Sequence, residues 1–246
     1  MAVDEAISLS VKKETAPPTL RLYGWDAPSV TIGYFQKITE IDVDYCMLKE
    51  IPVVRRITGG RAILHADEMT YSFSVRTKGQ FAGGLLDSYR RISAAFHRAF
   101  IKAGVSPGLI LNSRTRRLSP QRGVKSPLCF QSASYGELTI QKKKVIGSAQ
   151  KRWIDGLLQQ GTIPFSLDRD AISRVFGLQD TERTMAGLTE IVPDLNADQF
   201  RNAVRLSFEE TFNIRWSLSA LSQAELSLAR ELEEQKYLSR QWNFRR

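Results

Sequence analysis

Residues 55–65 read Arg55-Arg56-Ile57-Thr58-Gly59-Gly60-Arg61-Ala62-Ile63-Leu64-His65. Two arginines precede a glycine pair, and a third arginine, a short apolar run and a histidine follow. The stretch before it, Ile51-Pro52-Val53-Val54, is apolar and β-branched, and Met69, Tyr71, Phe73 and Val75 alternate after it so that they share one face. This reads as strand, Gly-rich turn, strand. Glycine pairs let backbone N–H groups approach a ligand without Cβ interference, and guanidinium groups suit carboxylates or phosphates. The segment alone also fits a plain hairpin turn with solvated arginines.

Outward from this stretch, 246 residues correspond to one large domain or one domain with a small appendage, and a hydrophobic content of 42% supports an ordinary core. We expect no membrane span and no secretory signal. Cys46 and Cys129 make no disulfide framework, no Cys/His cluster has metal spacing, and a reducing cytoplasm is the simplest location. The net charge of +9 favours acidic partners by electrostatic steering. Nucleic acid and an acidic carrier domain both qualify, but no nucleic-acid motif accompanies the dispersed basic residues.

The pattern predicts a helix over 2–13, with Asp4 and Glu5 in its first turn where they suit the dipole. Strands follow over 20–25 and 30–35, and a helix over 41–48 carries Cys46 as inert packing. A long helix over 85–103 has Leu85, Tyr89, Ile92, Phe96 and Phe100 as its apolar stripe and ends at Gly104. Residues 112–127 read as a loop rich in Arg, Ser, Pro and Gly. Strands are then expected over 135–140, from Lys144 to Gln150, and over 156–165. Helices follow over 170–176, over 196–212 capped by Asn196, and over 218–238 with a Ser222/Glu225 capping box. Within 184–192 a turn or short helix is expected. We expect a catalytic domain over 1–215 and a helical extension over 216–246, packed on it or projecting from it.

Three pieces carry chemistry. The first is the Arg/Gly turn. The second is Cys129, which follows a loop holding Arg114, Arg116, Arg117, Arg122 and Lys125. Positive surroundings lower a thiol pKa and favour the nucleophilic thiolate, although a half-buried structural cysteine fits as well. The third is Lys144 beside Gly147 and Ser148, where a cation and backbone donors could face a reacting carbonyl. A surface lysine and a β-bulge are the plain alternatives.

Residues 55–65 continued through Asp67-Glu68-Met69-Thr70-Tyr71-Ser72 resemble the signature of the lipoate–protein ligase A and octanoyltransferase family. Tyr23-Gly24-Trp25 with Ser29 to Gln36 resembles its upstream strand pair. Leu128-Cys129-Phe130, Lys144-Val145-Ile146-Gly147-Ser148-Ala149-Gln150 and Leu158 to Ile163 resemble its downstream motifs. The resemblance implies an α+β fold like that of lipoate and biotin ligases, with mixed β-sheets flanked by helices. It implies attachment of an octanoyl or lipoyl chain to a lysine of a lipoyl carrier protein. By the same resemblance Cys129 and Lys144 are catalytic, and Arg55, Arg56, Thr58, Gly59, Gly60, Arg61, His65, Gly147, Ser148 and Ala149 bind substrate, with no metal ligand among them.

The details are most similar to the cysteine-dependent octanoyltransferase branch. That branch takes the acyl group from an acyl carrier protein thioester and requires no cofactor. The alternative is a single-domain ligase that uses ATP and Mg to make an acyl-adenylate, with Arg55 and Arg56 on the phosphates. A non-catalytic carrier-binding or nucleic-acid-binding module on the same fold is the third reading. The expected state is a monomer that meets its carrier transiently.

Overall fold

A computed structural model describes residues 1–105, 108–109, 138–141, 143–178 and 185–246. The chain runs from helix α1 (Ala2–Lys12) through strands β1 (Thr19–Tyr23) and β2 (Ser29–Ile32) to a short helix α2 (Val43–Leu48). Strands β3 (Val53–Arg55), β4 (Ile63–His65) and β5 (Glu68–Val75) follow, then the long helix α3 (Leu85–Lys102). Next come β6 (Gly108–Leu109), β7 (Leu138–Ile140), β8 (Lys143–Lys144), β9 (Gly147–Arg152) and β10 (Leu157–Pro164). The described chain closes with α4 (Arg169–Phe176), α5 (Leu188–Ile191), α6 (Ala197–Phe212), α7 (Gln223–Leu232) and α8 (Arg240–Asn243).

These elements form the α+β arrangement expected from the sequence. A four-stranded antiparallel sheet has the order β1-β5-β10-β9. A three-stranded mixed sheet has the order β3-β2-β4, with β2 parallel to β3 and antiparallel to β4. The Gly-rich turn is therefore not a hairpin. It carries the chain from one edge of the small sheet to the other, because β2 lies between the two strands it joins. A third sheet, β6-β7-β8, stands apart from both.

The core explains why β5 sits centrally. Met69, Tyr71, Phe73 and Val75 are all buried, and they pack with Ile92, Phe96 and Phe100 of α3 and Phe200, Val204, Phe208 and Phe212 of α6. Burying each such side chain contributes about 1.5–3 kcal/mol. Leu85, placed by its spacing in the α3 stripe, is 47% exposed, so the stripe starts later than expected. The opposite face of β5 is buried as well, through Glu68, Thr70, Ser72 and Ser74. A polar face is tolerated inside only when its groups find partners, and α1 supplies one. Its Asp4 carboxylate accepts from Ser72 Oγ at 2.8 Å. Both acids lie in the first turn as expected, and both are buried cross-links as well.

Glu5 accepts from Lys236 Nζ at 2.7 Å and from Tyr237 OH at 2.6 Å. These two residues belong to a π-helical turn, Glu233–Tyr237, that follows α7. The single helix expected over 218–238 therefore starts later, at Gln223, and passes into the π-helical turn, while its Ser222/Glu225 capping box forms as expected. The last residues reach the small sheet: Trp242 Nε1 donates to the Arg55 carbonyl at 2.8 Å, and Arg55 N donates to Asn243 Oδ1 at 2.9 Å. Residues 232–243 are thereby tied to both α1 and β3.

Candidate active site

A cleft with about 330 Å³ of empty space, its open mouth included, lies between the small sheet, the start of β9 and the middle of β10. The small sheet contributes Thr31, Ile63 and His65, and the turn contributes Arg56. The large sheet contributes Tyr23, Thr70, Gly147, Ser148, Ala149, Gln160 and Gly161, and Met1 lies beside them. The two sheets thus meet here, and the turn reaches the lining through Arg56, while Thr58, Gly59, Gly60 and Arg61 stand behind it.

Two close approaches shape that turn. A Cβ on Gly33 would come within 1.9 Å of the Gly60 carbonyl oxygen, so only glycine lets β2 and the turn touch. Gly60 itself has φ +85°, a left-handed conformation that favours glycine, and it lies close to Ala149 of β9. The turn is held from below by Thr58, whose hydroxyl donates to Gln160 Oε1 at 3.0 Å. Gln160 Nε2 donates in turn to Asp4 at 2.7 Å. Arg21 and Tyr23 complete the Asp4 carboxylate, both at 2.9 Å. Burial pushes the Asp4 carboxyl up, but the chain's amino group, Arg21 and the hydrogen bonds from Gln160 and Ser72 outweigh it and hold it below its ordinary value.

A second buried network crosses the cavity floor. His65 Nδ1 meets Glu68 at 2.8 Å and its Nε2 meets Thr31 Oγ1 at 2.7 Å. The ring stacks on Trp25 at 4.2 Å, and Trp25 Nε1 donates to Thr70 Oγ1 at 2.7 Å. Thr70 donates to Glu68. Burial alone would raise the Glu68 carboxyl, but the His65 imidazole outweighs it, and the carboxyl sits below its ordinary value. Arg56 Nη1 donates to Thr31 at 3.2 Å, and its Nη2 reaches the carbonyls of Gly59 and Arg61 at 2.7 Å. The chain from Glu68 through His65, Thr31 and Arg56 therefore ends on the turn itself.

The expectation that Arg55 and Arg56 offer free forks to a carboxylate or phosphate meets a different arrangement. Arg55 is fully buried. Its guanidinium donates to the carbonyls of Gly33 (2.8 Å), Gln36 (2.7 Å), Asn243 (3.1 Å), Trp242 (3.3 Å) and Tyr34 (3.4 Å). It joins the start of the turn to the C-terminal helix. Arg56 is buried too, but it lines the cavity. The half-buried Arg61 contributes its carbonyl to Arg56.

The expected β9 residues Gly147, Ser148 and Ala149 all line the cavity. Ser148 Oγ lies 2.7 Å from Tyr71 OH, which accepts from Gln159 Nε2 at 2.9 Å. Burial pushes the Tyr71 phenol up to about 12, so it stays a hydrogen-bond donor. Lys144 is buried three residues before that lining begins, and its backbone pairs with Thr139 and bridges to Met185. Cys129 and the basic loop before it lie outside the described residues. Cys46 is buried, and burial followed by Asp42 pushes its thiol up to about 11, which makes it inert. Thr31, Tyr71, Gln160 and Asp4 were not singled out by sequence reasoning. Thr31 and Gln160 fall inside the quoted motif stretches, where strand alternation reads polar residues as exposed, while Tyr71 is read only as part of the apolar face of its strand and Asp4 only as a first-turn acid. Among the described residues, no group of three or more His, Cys, Asp or Glu is placed to hold a metal ion.

The family model for the lipoyl protein ligase A/B catalytic domain matches residues 1–209. The chain belongs to this family. Octanoyltransferase LipM of Carboxydothermus hydrogenoformans is 36% identical to it over the whole chain and 93% of that protein. Octanoyltransferase LipM of Bacillus subtilis is 32% identical at the same coverage. Among solved structures, a lipoate-protein ligase A bound with ATP superposes with a TM-score of 0.83 at 27% identity, covering 99% of this chain and 92% of that one. A bipartite lipoate protein ligase of Thermoplasma acidophilum, from a study that includes its E2 lipoyl domain, gives 0.77 at 26% identity, covering 99% and 89%. The lipoyl ligase A/B fold thus extends over all the elements described above. Its family model ends within α6, so the C-terminal helices that hold Arg55 lie beyond the matched residues.

Proposed function

We propose that this chain is an acyltransferase that moves an octanoyl group, or its lipoyl counterpart, from an acyl carrier protein thioester to a lysine of a lipoyl carrier protein. The observation that carries this reading is full-length similarity to octanoyltransferases together with a cysteine, Cys129, in the Cys-Phe motif. The Cys129 thiolate attacks the donor thioester carbonyl, and the carrier thiolate leaves. Lys144 and backbone donors near Gly147 stabilise the tetrahedral oxyanion. The neutral amine of the acceptor lysine then attacks the acyl-enzyme, Cys129 leaves as thiolate, and the amine proton passes to solvent or a nearby base. The cavity under the turn takes the acyl chain, with Ile63, Ala149 and Gly161 as apolar wall and Thr58 to Arg61 as its cover.

A thioester already carries an activated acyl group, so this route calls for no nucleotide. The ligase reading relies on cationic forks for a triphosphate, and the Arg55 fork is spent on main-chain carbonyls. A monomer in a reducing compartment suits a thiol nucleophile that meets two carriers in turn, and no described helix is long and apolar enough to cross a membrane.

Mass spectrometry after incubation with octanoyl carrier protein tests the proposal. We expect an octanoyl adduct on Cys129 without ATP, and loss of adduct and of transfer in Cys129→Ser. Full transfer by that variant without ATP removes the cysteine from the mechanism. Acyl loading that requires ATP and magnesium makes the chain a ligase.

A further inference from the structure

The outer side of the Gly-rich turn carries cations that pair with no carboxylate among the described residues. Arg245 lies over the Tyr34 ring at 4.0 Å and the Trp242 ring at 4.1 Å, and its Nη2 donates to the Tyr34 carbonyl at 3.0 Å. Arg246 lies 5.5 Å over Phe35, which is 66% exposed. Lys151 Nζ lies 5.3 Å over Tyr34. Among the described residues, neighbouring lysines find acids, Lys236 on Glu5 and Lys12 on Asp155, whereas Lys151, Arg245 and Arg246 form no ion pair. Aromatic faces hold these three charges in place without neutralising them. The Tyr34 phenol is lowered chiefly by its hydrogen bond and charge contact with Arg245, which reports the same positive field.

This strip adjoins the cavity. Tyr34 N donates to the Thr58 carbonyl at 3.0 Å, and the preceding Gly33 touches Gly60. Lys151 lies two residues beyond Ala149 on β9, on the same side of the strand, and Ala149 lines the cavity next to Gly60. A protein that inserts a lysine here has only that side chain's four-carbon stem as reach. Its own surface must therefore lie against the rim, whereas a donor carrying its acyl group on a longer arm can stand off.

We propose that Tyr34, Phe35, Lys151, Trp242, Arg245 and Arg246 form the docking surface for a carboxylate-rich face of the acceptor carrier domain, beside its modified lysine. This rests on the acyltransferase reading given above. The exposed Phe35 ring and the half-buried Tyr34 and Trp242 rings among fixed cations supply the apolar anchor and charged rim of a transient interface, and charge complementarity sets the encounter rate and register.

The test uses the full chain carrying Lys151→Glu and Arg245→Glu, with Arg245→Gln as a milder variant. Octanoyl-enzyme formation is measured with the octanoyl thioester of a small thiol, and transfer is then measured against acceptor-domain concentration. We expect acyl-enzyme formation to match the unaltered chain, while the acceptor concentration for half-maximal transfer rises at least tenfold. The glutamine variant should fall between, and the unaltered chain's salt dependence should flatten. Unchanged half-saturation overturns the proposal. So does an equal loss of transfer to a small free amine, which would mean damaged chemistry or folding, and so does a loss confined to the acyl donor carrier. If the unaltered chain forms no acyl-enzyme, the acyltransferase reading fails. Calorimetric binding of the acceptor domain to the same variants then decides the docking surface, with equal affinities counting against it.

Discussion

Replacing Arg55 by methionine removes every N–H of the guanidinium while keeping an unbranched apolar stem of similar girth. Five main-chain carbonyls lose a donor. Two retain another: Gly33 O accepts from Gln36 N at 3.1 Å, and Tyr34 O from Arg245 at 3.0 Å. The carbonyls of Gln36 and Asn243, in buried residues, lose bonds of 2.7 and 3.1 Å. At about 1–3 kcal/mol for each unsatisfied buried group, the gross loss is about 2–6 kcal/mol. Part is offset because the charge no longer has to be buried. Burial, then repulsion from Arg245 and Arg246, already pushes the Arg55 guanidinium down to about 10. A net loss of about 2–4 kcal/mol lowers Tm by roughly 5–15 °C in a chain of this size. Thermal unfolding measures the total, and hydrogen exchange over 238–246 locates it, since α8 should exchange far faster than in the unaltered chain. Acyl-enzyme formation per folded molecule should change much less than stability. An unchanged Tm with collapsed activity would refute this reasoning and return the guanidinium to the substrate.

Two other expectations follow from the same geometry. Gly33→Ala places a methyl 1.9 Å from the Gly60 oxygen, so the turn must shift. Acyl transfer should fall at least tenfold, the scale on which small misplacements of a site act, with a Tm loss of several degrees; kinetics equal to the unaltered chain would mean that the turn moves freely. Asp4 has a folded-state pKa below its unfolded value of about 3.9, so its stabilisation is present above that pH and is lost as pH falls through the lower, folded value. The Tm gap between the unaltered chain and Asp4→Asn should hold from pH 7 to about 5 and close below about pH 4, and a gap independent of pH would remove Asp4's charge from the stability.

The apolar periodicities carried most of the fold. Met69 to Val75, the α3 positions from Ile92 onward and the capped α6 all occupy the places their spacing demands, because burial of large side chains dominates local preference. What periodicity could not report is a buried polar face. Glu68, Thr70, Ser72, Thr31 and Gln160 look solvent-facing by alternation, yet they are covered by α1 and by the small sheet. Their partners lie far along the chain, as in the contact of Gln160 with Asp4, and no local pattern encodes that. The same limit applies to the arginines. A guanidinium that grips a phosphate and one that grips five carbonyls have the same sequence neighbours. Residues 55–61 therefore announced a special turn, but not which of its arginines faces the cavity. Trp242 and Asn243, which decide the matter for Arg55, stand nearly 190 positions away.

The distribution of charge gives the site its direction. Three buried acids each take a basic partner inside the fold: Asp4 takes Arg21, Glu5 takes Lys236 and Glu68 takes His65. Each pair also crosses between segments that the turn needs, namely α1 to the large sheet, α1 to the C-terminal turn, and β4 to β5. Removing one partner of such a pair leaves an uncompensated buried charge and is strongly destabilising, so the interior has little freedom to exchange charge. Arg55, Arg56 and Lys144 are buried as well, and the rest of the net excess of +9 sits outside. Where it is fixed by aromatic rings, at Tyr34, Phe35 and Trp242, it borders the turn that covers the cavity. The docking proposed above follows from this placement: cations held on aromatic rings beside the cavity turn an acidic partner toward that rim, because the long-range field orients the encounter before any contact forms.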